Sequence, residues 1–357
     1  MIPKKIPSGG KMNTSIVHVL STSQIGGAEK LVSDVSDKLQ QLGYAVTYLS
    51  PSGPIHDYLT ERGISNISVN VEDRKALQKV LRRLKPGIIH AHDFRATLAV
   101  IKAMPFSKII AHIHHSPTWQ RSVSFGSILF LLMSIFINQV IYVSDDTRLE
   151  FVFHRLIAKK SRTITNGIDM DEIRKLANQE ELSPVDLVFV GRLEPVKNPL
   201  RFIRIVLEIT QTIPDIQAVV VGDGSLRQTC LDLISELKLE NNIIMRGSLA
   251  NPYPDIKRAR VLISTSQLDA FGLVVLEAAT LRTIPVGPNI SGLRETLAAV
   301  GGKQFDSDKD AISQILDILK TECSYSVNED VLRQYSIIRT VKKIIDTYKL
   351  VEVREAR

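Results

Sequence analysis

Residues 261–279 read Val-Leu-Ile-Ser-Thr-Ser-Gln-Leu-Asp-Ala-Phe-Gly-Leu-Val-Val-Leu-Glu-Ala-Ala. The apolar opening predicts a strand ending at Ser264, the middle a loop carrying Asp269, Phe271 and Gly272, and the remainder a helix. A strand this apolar is buried on both faces, so it belongs in a parallel sheet covered by helices. Glycine where a loop enters a helix lets backbone N–H groups approach an anion at the positive helix end. Glu277 lies about a turn inside that helix, and its two carboxylate oxygens match the two hydroxyls of a ribose diol. A solvated helix face is the plain alternative for Glu277.

The same strand–helix alternation extends outward in both directions. Strands are expected at 15–20, 45–50, 67–70, 88–91, 108–114, 140–144 and 163–165, then at 187–190, 218–221, 243–246, 261–264 and 284–286. Helical patterns such as 27–42, 74–84, 199–212 and 226–237 lie between them. This predicts right-handed βαβ units and two open, doubly wound α/β sheets. The rhythm breaks between Asn166-Gly167 and Pro184, a turn signal followed by a polar run. The expected organisation is a flexible tail over 1–12, a first domain over 13–165, a second over 166–335, and a C-terminal helix over 336–357 packing back on the first. Ligands of such sheets bind at the carboxyl ends of the strands, so two facing domains would share a cleft lined by the residues just after each strand.

Those residues are informative. Gly191-Arg192-Leu193 ends one strand, and Lys197-Asn198 follows at the start of a helix. A glycine, two cations and a helix N-terminus together suit a diphosphate. Gly222-Asp223-Gly224 gives flexible backbone at the next strand end, and Gly26-Gly27 opens a helix after the first strand without forming a P-loop. His90-Ala-His92-Asp93 and His112-Ile-His114-His115 hold five of the eight histidines. Histidines at i and i+2 of a strand share a face, and Asp93 could join them, but no cysteine or second carboxylate stands nearby, so a polar cleft edge is favoured over zinc. His90 and His112, inside strands, read as structural.

Composition sets the frame. At 357 residues, 44% hydrophobic and 23% charged, the chain is globular and long enough for two cores. Two cysteines cannot build a disulfide framework, and residues 1–11 lack an apolar core for a signal peptide, so a cytoplasmic location is expected. Residues 1–165 hold 21 Lys+Arg against 11 Asp+Glu, a net of +10; residues 166–357 hold 24 against 27, a net of −3. Clusters at Arg82, Arg83, Lys85 and at Arg155, Lys159, Lys160, Arg162 point the first half at something anionic, a phospholipid surface or nucleic acid. No aromatic-interleaved basic patch or recognition-helix pattern supports nucleic acid. Ile128–Ile137 is apolar throughout but too short to span a bilayer, which takes roughly 20 residues. Its length favours a buried helix; a helix lying on a membrane surface, with Arg121 as anchor, is the other reading.

Taken together, Gly26-Gly27-Ala-Glu29, Ile89-His-Ala-His-Asp93, Ile141-Tyr-Val-Ser144, Asn166-Gly-Ile-Asp169, Gly191-Arg-Leu with Lys197-Asn198, Gly222-Asp-Gly224 and Asp269-Ala-Phe-Gly-Leu with Glu277 resemble the family-4 retaining glycosyltransferases of GT-B architecture. The resemblance spans nearly the whole chain. It implies that Arg192 and Lys197 neutralise a donor diphosphate, that Glu277 binds the donor ribose, and that Asp269 takes the place of the family's first glutamate at the transferred sugar. Backbone at Phe271, Gly272, Leu273 and Val274 would surround sugar and phosphates. The Gly26-Gly27 loop would lie near the diphosphate and acceptor, and His114 would face the reacting sugar. His92, Asp93 and His115 are placed on the acceptor side; their run is also similar to transferases of bacterial capsule or exopolysaccharide assembly. The pattern departs from the family where Glu-Gly-Phe-Gly becomes Asp269-Ala-Phe-Gly272, and where Leu281-Arg282-Thr283 replaces Cys-Gly or Ser-Gly.

The activity implied is retaining transfer from a nucleotide-diphosphate sugar, UDP favoured, to a glycan or lipid-linked acceptor, with no cofactor and no metal. The basic first domain is expected to dock on an anionic membrane surface, with no nucleic-acid partner. A nucleotide-sugar epimerase of the same shape and a non-catalytic nucleotide-binding regulator are the alternatives.

Overall fold

The computed structural model describes residues 14–115, 117–321 and 325–353; the tail expected over 1–12 and Cys323 lie outside them. The chain divides into two units at Thr165/Asn166, and the helix Ile337–Val353 joins the first.

The first unit carries β1 (Ser15–Val19), β2 (Ala45–Ser50), β3 (Asn66–Ser68), β4 (Ile88–His92), β5 (Ile109–Ile113), β6 (Gln139–Tyr142) and β7 (Ser161–Thr163). They form one parallel sheet in the order β3-β2-β1-β4-β5-β6-β7. The second unit carries β8 (Val185–Val190), β9 (Ala218–Val221), β10 (Ile243–Gly247), β11 (Ala259–Ile263), β12 (Ile284–Pro288) and β13 (Lys303–Phe305), ordered β10-β9-β8-β11-β12-β13. Both orders are those of the doubly wound dinucleotide-binding fold, whose crevice opens where the chain reverses direction, here between β1 and β4 and between β8 and β11. Strand β13 was not expected: it has three residues, of which only Phe305 is buried, too short for periodicity to register.

The strands are buried because both faces are covered. In the first unit Val17, Ile89, Ala111 and Val140 face one helical layer. Ile16, Ile88, Ile110 and Ile141 face the other, which includes Leu31, Val35 and Leu39 of helix Gly27–Gln41 and Val341, Ile344 and Tyr348 of helix Ile337–Val353. The second unit packs Leu187, Phe189, Val220, Val261 and Ile263 against Phe202, Val206 and Ile315.

The apolar run 128–137 is not a buried helix. The helix covers Phe125–Met133, capped by Ser124 accepting from the Ser127 N–H, and only one face of it enters the core through Phe130 and Met133. Phe125 is 83% exposed, Leu132 55% and Ile135 70%. The run is apolar all round, so its composition could not show which side lacked a partner.

Candidate active site

At the end of β8, Gly191 turns the chain and Arg192 is exposed. The Gly222-Asp223-Gly224 loop after β9 packs on this turn. A Cβ on Gly222, whose φ is +151°, would lie 1.8 Å from the Gly191 carbonyl oxygen, so only glycine permits the approach. The Leu193 N–H donates to the Asp223 carbonyl at 2.8 Å, while Asp223 keeps its exposed carboxylate on the Gly224 N–H at 2.7 Å.

Lys197 closes a short 3-10 turn, Pro195–Lys197, before helix Pro199–Thr210. Thr265 beyond β11 donates its hydroxyl to the Lys197 and Asn198 carbonyls, and the Gln267 N–H donates to the Val196 carbonyl at 2.8 Å. These bonds bring two strand ends together, and the Lys197 ammonium meets the Asp269 carboxylate at 2.5 Å. Asp269 also accepts from the N–H groups of Gly272 at 2.9 Å and Phe271 at 3.3 Å. Burial works against ionisation of Asp269, but Lys197 and these two N–H groups outweigh it and hold the carboxyl below its ordinary value. Gly272, at φ +74°, occupies the left-handed region at the start of helix Leu273–Thr280. Leu273 and Val274, partly buried, open the helix beside it.

Glu277 is not on a solvated helix face. It is 8% exposed, and the Tyr253 hydroxyl lies 3.3 Å from its Oε1. Tyr253 is a partner that the sequence did not signal, since it lies 24 residues away on helix Tyr253–Lys257.

The expected residues of the first unit gather at the ends of β4 and β5. Asp93 has φ +63°, strained for a non-glycine residue. Its carboxylate accepts the His114 N–H at 2.9 Å and sits 3.2 Å from His115 Nδ1. Burial raises the Asp93 carboxyl's pKa, but the bond from His115 and the neighbouring imidazoles bring it below the ordinary value; that same bond raises His115, with Glu29 adding to the field. The Glu29 carboxylate in turn lies over Gly26, 2.7 Å from where a Cβ would be. Gly27 begins the helix behind it.

His92 and His114, by contrast, face inward. Register pairs His18 with His90 across β1 and β4, and His92 with His112 across β4 and β5. Together with His114 they form a row of five rings on one face of the sheet, none more than 7% exposed. His18 Nδ1 is 2.9 Å from His92 Nε2, His92 Nδ1 is 2.8 Å from His114 Nε2, and His90 Nδ1 is 2.8 Å from the Tyr348 hydroxyl. Burial, with smaller repulsion from neighbouring rings, lowers the pKa values of His90, His92 and His112 well below the ordinary value and that of His18 to about 3. The rings are therefore neutral at pH 7. Among the described residues, no partner meets His18 Nε2, His90 Nε2, either nitrogen of His112, or His114 Nδ1. Each unmet buried polar atom costs about 1–3 kcal/mol. His18 was absent from the sequence reading, because only the β1–β4 register connects it to the other four.

Comparison with known proteins agrees with this architecture. The model described as Glycosyltransferase Family 4 matches residues 25–172, and that described as Glycosyl transferases group 1 matches residues 170–326. A capsular polysaccharide biosynthesis glycosyltransferase of Staphylococcus aureus is 25% identical over 77% of this chain and 81% of its own. An uncharacterised glycosyltransferase of Methanocaldococcus jannaschii is 22% identical over 58% of this chain; the match spans 56% of that relative's length. Among solved structures, Anabaena HepE, crystallised with UDP and glucose, superposes with a TM-score of 0.80 at 18% identity, covering 94% of this chain and 99% of its own. Sucrose-phosphate synthase from Thermosynechococcus elongatus gives 0.77 at 15% identity, covering 96% and 100%. These likenesses give both units the GT-B fold.

Proposed function

A chain matched over its first half by the family-4 glycosyltransferase model and over its second by the group-1 model is a GT-B glycosyltransferase, and from that premise we propose that it transfers a sugar with retention from a nucleotide-diphosphate donor, UDP-linked, to a glycan or lipid-linked acceptor of a bacterial surface polysaccharide. The observation that carries this reading is the junction of β8 and β11, where the Lys197–Asp269 pair and the Gly272 N–H converge by the bonds above, with exposed Arg192 at the end of β8. A leaving diphosphate gains negative charge in the transition state. Fixed cations and N–H groups stabilise that charge without reorganising, and this is a large catalytic term. Arg192 and Lys197 neutralise the diphosphate, so the transfer itself needs no metal. Asp269, positioned by Lys197, takes the transferred sugar's hydroxyls, and Glu277, held by Tyr253, takes the ribose. Asp93 and His115 form the acceptor edge. The UDP assignment is supported by the ligand of HepE, and the acceptor class by the role named for the Staphylococcus relative.

A thermal-shift panel of nucleoside diphosphates tests the donor. At 100 times its Kd a ligand adds about 2.7 kcal/mol to stability, so UDP is expected to raise Tm by several degrees while ADP and GDP leave it unchanged. Equal shifts with all bases, or none, would remove the UDP assignment.

The acceptor side includes a membrane in this proposal. Among the described residues no helix is long and apolar enough to cross a bilayer. The helix Phe125–Met133 nevertheless leaves Phe125, Ile128 and Leu132 exposed, with Ile135 and Phe136 just beyond it. Lys160 donates to the Ser134 and Ile137 carbonyls, which brings the basic 155–160 segment to the end of this apolar strip; Arg155, Leu156 and Lys159 there are exposed. Apolar side chains with cations at one end suit an anionic leaflet, each cation adding about 1 kcal/mol near the surface. Sedimentation with phosphatidylglycerol vesicles is expected to pull down the wild type, and phosphatidylcholine vesicles to leave it in solution. Leu132→Asp combined with Ile135→Asp is expected to cut the anionic binding at least tenfold. Equal binding of wild type and variant would sink the membrane assignment.

A further inference from the structure

Three rings of the histidine row, His18, His90 and His92, are not used by sugar transfer, and they lie close together. His18, His90 and His92 each offer one ring nitrogen within 4.8 Å of the others'. We propose that His18, His90 and His92 form a binding site for one divalent transition-metal ion of the zinc class, lodged beneath the helix Ile337–Val353 and separate from the diphosphate site of the second unit.

Three features support this assignment. First, the ligand chemistry fits: neutral imidazole is the group that zinc and its neighbours in the first transition row prefer, and three histidines with one open position is a standard zinc arrangement. Second, the spacing fits. Two imidazole nitrogens sharing a tetrahedral zinc lie about 3.3 Å apart, given bonds near 2.05 Å; His18 Nδ1 and His92 Nε2 already lie 2.9 Å apart. Third, two of the three ligand rings, His90 and His92, have outer contacts of the kind that fix a ligand ring. A metal-bound imidazole donates its other N–H to an acceptor that sets its tautomer. His90 Nδ1 has the Tyr348 hydroxyl at 2.8 Å, leaving Nε2 without a partner, and His92 Nδ1 has His114 Nε2 at 2.8 Å, leaving Nε2 directed at His18. Burial keeps all three rings deprotonated at neutral pH, so no proton competes for the ligand atoms.

A second triad, His92 with His112 and His114, satisfies the same distance limit. It is the weaker candidate, since two of its rings, His112 and His114, would have no outer partner among the described residues, against one, His18, in the first triad. The ion proposed here spans β1 and β4, ties both to the C-terminal helix through Tyr348, and is structural rather than catalytic.

The test is metal binding itself. Full-length protein is dialysed against chelator, then titrated with Zn2+ by calorimetry and with Co2+ by visible absorption. One ion per chain, ligand-field bands of tetrahedral Co2+, and a raised Tm are expected. His18→Gln is expected to abolish uptake, and Tyr348→Phe, which keeps the ring and removes only the outer oxygen, to weaken it 10–100-fold. His112→Gln is expected to leave affinity unchanged. Absence of Co2+ bands in the wild type overturns the proposal whatever the variants do. Loss of uptake in His112→Gln together with wild-type affinity in Tyr348→Phe overturns the choice of ligands.

Discussion

Arg192→Ala is expected to lower kcat by 10²–10³-fold, about 3–4 kcal/mol of transition-state stabilisation, the cost typical of removing one oxyanion-binding group. Arg192 is exposed, so the same change should move folding stability by less than about 0.5 kcal/mol. Steady-state turnover of UDP-sugars, read beside a melting curve, separates the two. The comparison with Lys197 shows why Arg192 is the cleaner probe. Lys197 pairs with an Asp269 side chain only 13% exposed, so Lys197→Ala strips a largely buried carboxylate of its cation. That change costs stability as well as activity, and a lost signal would not separate them. Glu277→Ala is expected to weaken donor binding as well as turnover, because it removes a buried carboxylate held by Tyr253. Near wild-type rates in both Arg192→Ala and Glu277→Ala would remove the site from β8 and β11.

The second large effect is acid lability. His18, His90, His92 and His112 are neutral when folded and titrate near 6.5 when unfolded. For a base whose folded pKa is depressed, stability is full above the unfolded pKa and is lost as pH falls below it. Four such rings give a slope of about 5 kcal/mol per pH unit once the unfolded chain is fully protonated. A domain has only about 5–15 kcal/mol to lose, so metal-free protein with a stability near the low end of that range is expected to unfold between about pH 6 and pH 5. This window lies above the range in which Asp269 and Asp93, both with lowered pKa values, contribute. Chemical denaturation at pH 7.5, 6.5 and 5.5 measures the slope. A flat profile would mean that the rings are hydrated or already charged, and His18→Gln should flatten it partially.

Much of the fold was legible because its signal is local. Buried strands such as Ile88–Ala91 and Val261–Ile263 announce themselves by unbroken apolar runs, and the glycine turns at Gly222 and Gly272 by residues whose backbone freedom is needed there. Strand β13 was missed for the converse reason, having one buried residue. The donor-side residues were legible as a set since each follows a strand, and the topology of a doubly wound sheet brings strand ends together.

What the sequence determined by itself is therefore the class of each unit, the order of its elements and the residues available at the strand ends. Burial on both sheet faces and the chemistry of loop residues are properties of short segments. Only the tertiary structure decided which residues meet. Lys197 and Asp269 are 72 positions apart, His18 and His92 are 74, and His90 and Tyr348 are 258. Strand register and helix packing set those encounters, and a one-residue slip would send every histidine of a strand to the opposite face. The same holds for the helix Phe125–Met133: an all-round apolar sequence can be covered on any side, and only packing decides which side stays open.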